Sequence, residues 1–158
     1  MARADKLGGL AAIVLALAVG SADSLPALAR PASTSTSVAC FSPHVADGDT
    51  ITCAGQRVRI FGINAPEIAH PGQGIAEEPG GQAAKTRMIQ LTSGRQVWCE
   101  PAGDQWDRYG RMVGRCRTAQ APDLGAQMLR EGLACEWRRY DHGFYASPAV
   151  RVCSRRGK

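Results

Sequence analysis

The sequence predicts an α+β, mainly β domain: a small closed barrel of five strands carrying two or three helices. Three observations lead there. Five short runs alternate apolar and polar residues, the period of a half-buried strand. A helical pattern interrupts them after the third run and a second follows the fifth. Six cysteines spread from Cys40 to Cys153, which suits a small exported domain held by three disulfides.

The elements follow in order. "VACFSPHV" reads as the first strand, leading into the hairpin turn of "ADGDT". "TITC" is the return strand. Gly55 turns the chain into "QRVRIFGI", with Val58 and Ile60 on one face and Arg57 and Arg59 on the other. Ala65-Pro66 ends that strand, because a residue before proline is pushed out of the helical region. A Pro/Gly-rich loop fills 68–81, long enough to suggest a functional role. Ala84, Met88 and Leu91 recur at helical spacing over 82–93, and Gly94 can cap. "RQVWCE" is the fourth strand, "PAGDQWDRYG" a turn-rich loop and "RMVGRCR" the fifth strand. Leu124, Met128 and Leu129 mark a second helix over 122–131, ended by Gly132. "ACEW" is a short extended piece. Ser147-Pro148 predicts a brief last helix, with Ser as its cap and Pro at its first position.

Strand number and helix placement suit the OB type of barrel. Six cysteines allow many pairings. On this layout Cys40 and Cys53 flank the first hairpin. Cys99 faces Cys116 if their strands pair antiparallel, and Cys153 comes within reach of Cys135.

The chain has 158 residues, the scale of one domain. Arg3 and Lys6 precede an apolar stretch over 7–20, and Ala27-Leu28-Ala29 offers a cleavage site. Residues 1–29 therefore read as a signal peptide. The apolar run is short for a membrane span, so the rival reading, an uncleaved anchor, is the weaker one. Residues 30–37 form a polar, flexible linker, and 38–158 the folded domain. The expected product is a periplasmic or secreted monomer without stable membrane association. Removing 1–29 takes two basic and two acidic residues, so the net charge stays at +5. That charge admits nucleic acid or another anionic surface as partner.

Several residues carry candidate chemistry. Asp47 and Asp49 in "DGDT" alternate on one face, and Asn64, the Ala65 carbonyl and Glu67 follow another strand. Together they offer oxygen-only ligands, the set that hard cations such as Ca²⁺ choose. The plain reading of DGDT alone is a turn. Arg59 and Arg111 carry guanidinium forks that match phosphate oxygens and hold their charge. A carboxylate to orient water, cations to neutralise charge and a hard metal are what phosphodiester hydrolysis requires. Tyr109 and Tyr140 are candidates to stack on bases or sugar.

Taken in order, "ADGDT", "RVRIFGINAPE", "DRYGR" and "LREGLA" resemble the staphylococcal nuclease (thermonuclease) family, over about residues 38–140. The resemblance implies an OB-type barrel and Ca²⁺-dependent hydrolysis of DNA and RNA. It implies that Arg59, Glu67 and Arg111 are catalytic, with Glu67 holding the attacking water. It makes Asp49 and the Ala65 carbonyl metal ligands, with Asp47 the neighbouring acid. Arg108, Tyr109 and Tyr140 would border the nucleotide. Two departures stand out. The family's second aspartate ligand is Asn64 here, which removes a full charge and predicts weaker Ca²⁺ binding. Only residues 141–158 follow Tyr140, so the last helix must be short. The competing hypothesis is a catalytically silent nucleic-acid-binding OB module; the presence of Arg59, Glu67 and Arg111 argues against it.

Overall fold

The computed structural model describes residues 36–154. The expected signal peptide and all but the last two residues of the expected linker lie outside the described residues. The strands are β1 (Val38–Phe41), β2 (His44–Asp47), β3 (Thr50–Cys53), β4 (Gln56–Ile60), β5 (Ile63–Asn64), β6 (Gln96–Trp106), β7 (Met112–Arg117) and β8 (Cys135–Glu136). The helices are α1 (Gly81–Thr92), α2 (Leu124–Arg130) and the one-turn α3 (Arg138–Asp141).

Six strands form one sheet in the order β1-β6-β7-β4-β3-β2, and β5 pairs with β8 apart from it. The sheet curls into a half-barrel. β1 at one edge is tied by the Cys40–Cys53 disulfide to β3, next to the other edge. Curling lets a small sheet enclose its apolar face without a second layer. That face holds Ile51, Val58, Ile60, Val97 and Met112. α1 brings Ala84, Met88 and Leu91 to it, and α2 brings Leu124, Met128 and Leu129. Each of these large side chains contributes about 1.5–3 kcal/mol through burial. Asp123 caps α2, accepting from the Ala126 N–H at 2.9 Å.

The other two disulfides join the expected partners. Cys99 and Cys116 stand opposite each other in the antiparallel β6–β7 pair. Cys135–Cys153 ties the last described residues to β8.

Three expectations give way. "VACFSPHV" is two strands. Ser42 takes a left-handed φ of 51°, and Pro43 has no N–H for a ladder; β1 then pairs with β6 and β2 with β3. The loop expected at "PAGDQW" is the second half of β6, which stays extended against β7 through a register shift between Pro101 and Trp106. Among the described residues no helix follows Ser147-Pro148: a single turn closes from the Val150 N–H to the Ser147 carbonyl. Beyond it the chain is extended, because the Glu136 N–H donates to the Arg151 carbonyl and the Glu136 carbonyl accepts from the Cys153 N–H, which holds 151–153 beside β8. The third helix lies earlier, at Arg138–Asp141.

Candidate active site

Arg59 is the last residue but one of β4, and its neighbours in the strand face the core. Its own side chain turns to the opposite face, as the alternation predicts, yet it is 8 % exposed because other segments cover it. Thr50 sits across from it in the β3–β4 register. The Asp49 carbonyl accepts from the Ile60 N–H at 2.8 Å, so the DGDT turn is pinned beside the arginine.

Three contacts hold the guanidinium of Arg59. One nitrogen, Nη1, pairs with Asp49 Oδ1. The other, Nη2, donates to Asn64 Oδ1 at 2.9 Å and to the Ile63 carbonyl at 3.1 Å. Trp137 packs with its ring centroid 5.5 Å from the guanidinium carbon. Burial, and next the nearby charge of Arg111, lower the Arg59 pKa to about 10. It remains a cation at neutral pH, and Asp49 is the counterion.

Asp49 is 3 % exposed and accepts on both oxygens. Oδ1 takes the Thr50 hydroxyl at 3.0 Å besides Arg59. Oδ2 takes the Ala65 N–H at 2.8 Å. Thr50 Oγ1 in turn accepts from Arg111 Nη1 at 3.4 Å. One chain of contacts therefore runs Arg111, Thr50, Asp49, Arg59, Asn64.

Arg111 is aimed by Asp107. Its Nε donates to Asp107 Oδ2 at 2.6 Å and its own N–H to Oδ1 at 2.9 Å. Burial opposes ionisation of Asp107, but the Arg111 main chain and guanidinium and the Tyr109 N–H outweigh it, and the carboxyl is held below its usual range. The Tyr109 ring lies 5.3 Å from the Arg111 guanidinium carbon and 4.8 Å from that of Arg108.

Arg59, Arg111, Arg108, Tyr109 and Tyr140 line one cleft of about 630 Å³, together with Trp106 and Trp137. Tyr109 and Tyr140 are both exposed at its mouth, and Trp137 meets Tyr140 edge-on at 4.5 Å. Cationic walls with exposed rings suit a flexible polyanion that carries flat bases.

Glu67, Asp47, Asp49 and Asn64 are not among the residues lining that cleft. Glu67 is half-buried on the segment after β5. Its carbonyl accepts from the Glu78 N–H at 2.9 Å, and its own N–H donates to Glu78 Oε2 at 3.3 Å. Gly81 opens α1 directly against it: a Cβ there would lie 2.3 Å from the Glu67 carbonyl oxygen. Gly62, at φ 70°, makes the tight turn from β4 to β5; a Cβ would strike Asp141 and Tyr145. Burial, and next the like charge of Asp47, raise the Glu67 pKa. Asp47 itself pairs with His70, Nε2 lying 3.1 Å from Oδ1.

Of the groups expected to hold Ca²⁺, Asp49 and Asn64 are engaged by Arg59 as arranged. Asp49 Oδ1, Asp49 Oδ2 and Asn64 Oδ1 all accept hydrogen bonds, and two of these three accept them from Arg59. A cation among them would stand against a buried guanidinium. The arrangement is complementary to an arginine.

Three residues that shape the site were not singled out from the sequence. Asp107 lies inside "DRYGR" and is the orienting group of that motif. Trp137 supports Arg59 and lines the cleft. His70 has a signal in Glu67-x-x-His70, a carboxylate and an imidazole three residues apart.

The half-barrel, its helices and its basic aromatic cleft define an OB-fold domain of nuclease type in architecture. The chain belongs to the family of staphylococcal nuclease homologues, whose family model matches residues 57–153. Among similar proteins is the succinoglycan biosynthesis protein ExoI of Rhizobium meliloti (strain 1021), 36 % identical over 106 residues, 65 % of this chain and 54 % of that protein. Others are probable endonucleases LCL3. That of Schizophyllum commune is 34 % identical over 92 residues, covering 52 % of this chain and 30 % of the relative. That of Arthroderma otae is 39 % identical over 79 residues, covering 49 % and 27 %. The chain thus matches about half or less of the length of these relatives.

Proposed function

We propose that this protein is an exported nuclease that hydrolyses phosphodiester bonds of DNA, RNA or both. The observation that carries the reading is the pair of arginines, Arg59 and Arg111, brought to one aromatic cleft and joined through Thr50 and Asp49. Family membership and the probable endonucleases among its relatives support the same class.

The proposed division of labour follows from position for the cleft residues and, for Glu67 outside the cleft lining, from the family resemblance. Arg108, Tyr109 and Tyr140 hold the strand, by charge at the phosphates and by stacking at the bases. Arg111, aimed by Asp107, meets the phosphate being attacked. Arg59 gives positive charge to the same oxygens, with Asp49 fixing its direction. Both neutralise charge that develops in the five-coordinate transition state. Glu67 holds and orients the water, and its raised pKa brings its proton exchange closer to neutrality. A divalent cation would polarise the phosphate further. Ca²⁺ is the ion that the resemblance implies, but no step above is routed through it. Three disulfides suit an oxidising compartment, so the periplasm or the exterior is the proposed location. Among the described residues, no helix is long and apolar enough to cross a membrane.

The test is hydrolysis of single-stranded DNA and RNA by the oxidised protein beside Arg59→Ala and Arg111→Ala. Each variant should lose about 10²–10³-fold in kcat, the effect of removing one preorganised donor. A folded wild type that binds the strand and never cuts it, with any divalent ion, would mean a silent binding module.

A further inference from the structure

We propose that Asp47, Glu67 and His70 form a binding site for one divalent first-row transition ion of the zinc and manganese kind. One ligand atom from each of the three lies within 4.8 Å of the other two. Bonds of about 2.0–2.2 Å to an ion hold ligand atoms about 3–4 Å apart, so closing the site takes side-chain movements of roughly 1 Å or less. His70 Nε2 already reaches both Asp47 oxygens, at 3.1 and 3.3 Å. An ion pair between those two residues accounts for their contact. It does not account for Glu67, a second carboxylate turned toward the first.

The backbone brings the three together from separate segments. Asp47 ends β2, after a register shift against β3. Glu67 is fixed by Glu78 and by the close approach of Gly81. His70 lies three residues on, held by a two-way main-chain bridge to Ile75. The side chains of His70 and Asp47 are 28 % and 14 % exposed, so an ion can enter from solvent.

The donor set decides the class of ion. An imidazole nitrogen with two carboxylates suits zinc, manganese or iron, whereas Ca²⁺ takes oxygen donors. This set is also distinct from the Asp49–Asn64 oxygens that Arg59 occupies. With one Glu67 oxygen on the ion and one on water, the site deepens the hydrolysis reading. It rests on that reading for its use and not for its existence.

The full oxidised chain, freed of metal by chelator and dialysis, is titrated by calorimetry with ZnCl₂, MnCl₂ and CaCl₂. The variants are His70→Ala, His70→Asp and Asn64→Asp, each checked for fold by circular dichroism. Wild type is expected to bind one Zn²⁺ and to prefer Zn²⁺ to Ca²⁺. His70→Ala should weaken Zn²⁺ by at least about 10–100-fold, the range seen when even outer partners of a ligand are lost. His70→Asp should shift the preference toward Mn²⁺ and Ca²⁺, and Asn64→Asp should leave Zn²⁺ unchanged. Mn²⁺ should broaden the His70 ring resonances selectively. Zn²⁺ affinity insensitive to His70→Ala, or no saturable Zn²⁺ binding at millimolar metal, overturns the site and leaves an ion pair. The two proposals fail separately. Zn²⁺ bound through His70 with no cleavage upholds the site and sinks the nuclease. Cleavage with His70-independent metal binding does the reverse.

Discussion

Replacing Asp49 by alanine should destabilise the protein more than any surface substitution, because of what it strands. Arg59 is 8 % exposed and Asp49 is its counterion; two further donors, the Thr50 hydroxyl and the Ala65 N–H, end on the same carboxylate. Deleting one member of a buried ion pair costs about 3–5 kcal/mol, since the remaining charge stays buried without compensation. The orphaned Ala65 N–H adds about 1 kcal/mol or more. Asn64 and the Ile63 carbonyl still accept from Arg59, which holds the total near about 4 kcal/mol. In a domain of this size that lowers Tm by about 10–20 °C. The assay is urea unfolding with the disulfides intact, followed by tryptophan fluorescence, since Trp137 lies against Arg59. A control separates the stranded charge from lost packing. Asp49→Leu combined with Arg59→Met removes both charges, and apolar replacement of a buried pair is often close to neutral. The double variant should therefore be more stable than Asp49→Ala, though inactive. A loss below about 1 kcal/mol in Asp49→Ala would refute the reasoning. So would a double variant no more stable than the single one.

The remaining predictions concern the other charged groups and the C-terminal disulfide. Glu67 has a raised pKa, so the folded state holds its proton more tightly than the unfolded chain. Stability attached to it is full at low pH and is lost as pH rises through the folded pKa. Glu67→Gln should then raise Tm at neutral pH relative to wild type while abolishing cleavage, as read by calorimetry and a strand-cleavage assay. Asp107 has a depressed pKa, with the opposite sign: its stability is present above the unfolded pKa and is lost as pH falls through the folded one. Asp107→Asn should flatten the acid limb of a Tm-against-pH curve and lower kcat by about tenfold or more through a misaimed Arg111. Cys135 and Cys153 are 18 apart in sequence, and replacing both by serine should cost about 3 kcal/mol in urea unfolding.

Much of this architecture is written locally. α1 is legible because Ala84, Met88 and Leu91 keep one face, and those are residues it buries. β7 is legible because Met112, Gly114 and Cys116 alternate with outward residues, and the burial follows that pattern. What was not legible depends on partners far along the chain. "PAGDQW" has a loop's composition, yet pairing with β7 keeps it extended. Residues 151–153 lie extended because β8 and Cys135 hold them there, which overrides the helix start at Ser147-Pro148. The parallel pairing of β4 with β7 has no signal in either strand.

The site divides in the same way. Arg59, Arg111, Arg108, Tyr109 and Tyr140 were named from motif and residue type, and they line one cleft. The contact of Asp49 with Arg59 was not legible. An aspartate in a turn carries no mark of the arginine it will meet, and only the folded distance from Arg59 shows the pair. Glu67-x-x-His70 is visible as a spacing, but the approach of Asp47 to His70 is not, because β2 and the loop after β5 lie far apart in the chain.

The most direct test of the central claim is single-turnover cleavage of a labelled single-stranded oligonucleotide, measured with its equilibrium binding, for wild type and Arg111→Ala. The account predicts cleavage by wild type, a fall of about 10²–10³-fold in the cleavage rate of the variant, and a much smaller loss of affinity. Equal cleavage rates in the two proteins, or binding by the wild type with no cleavage at all, would contradict it.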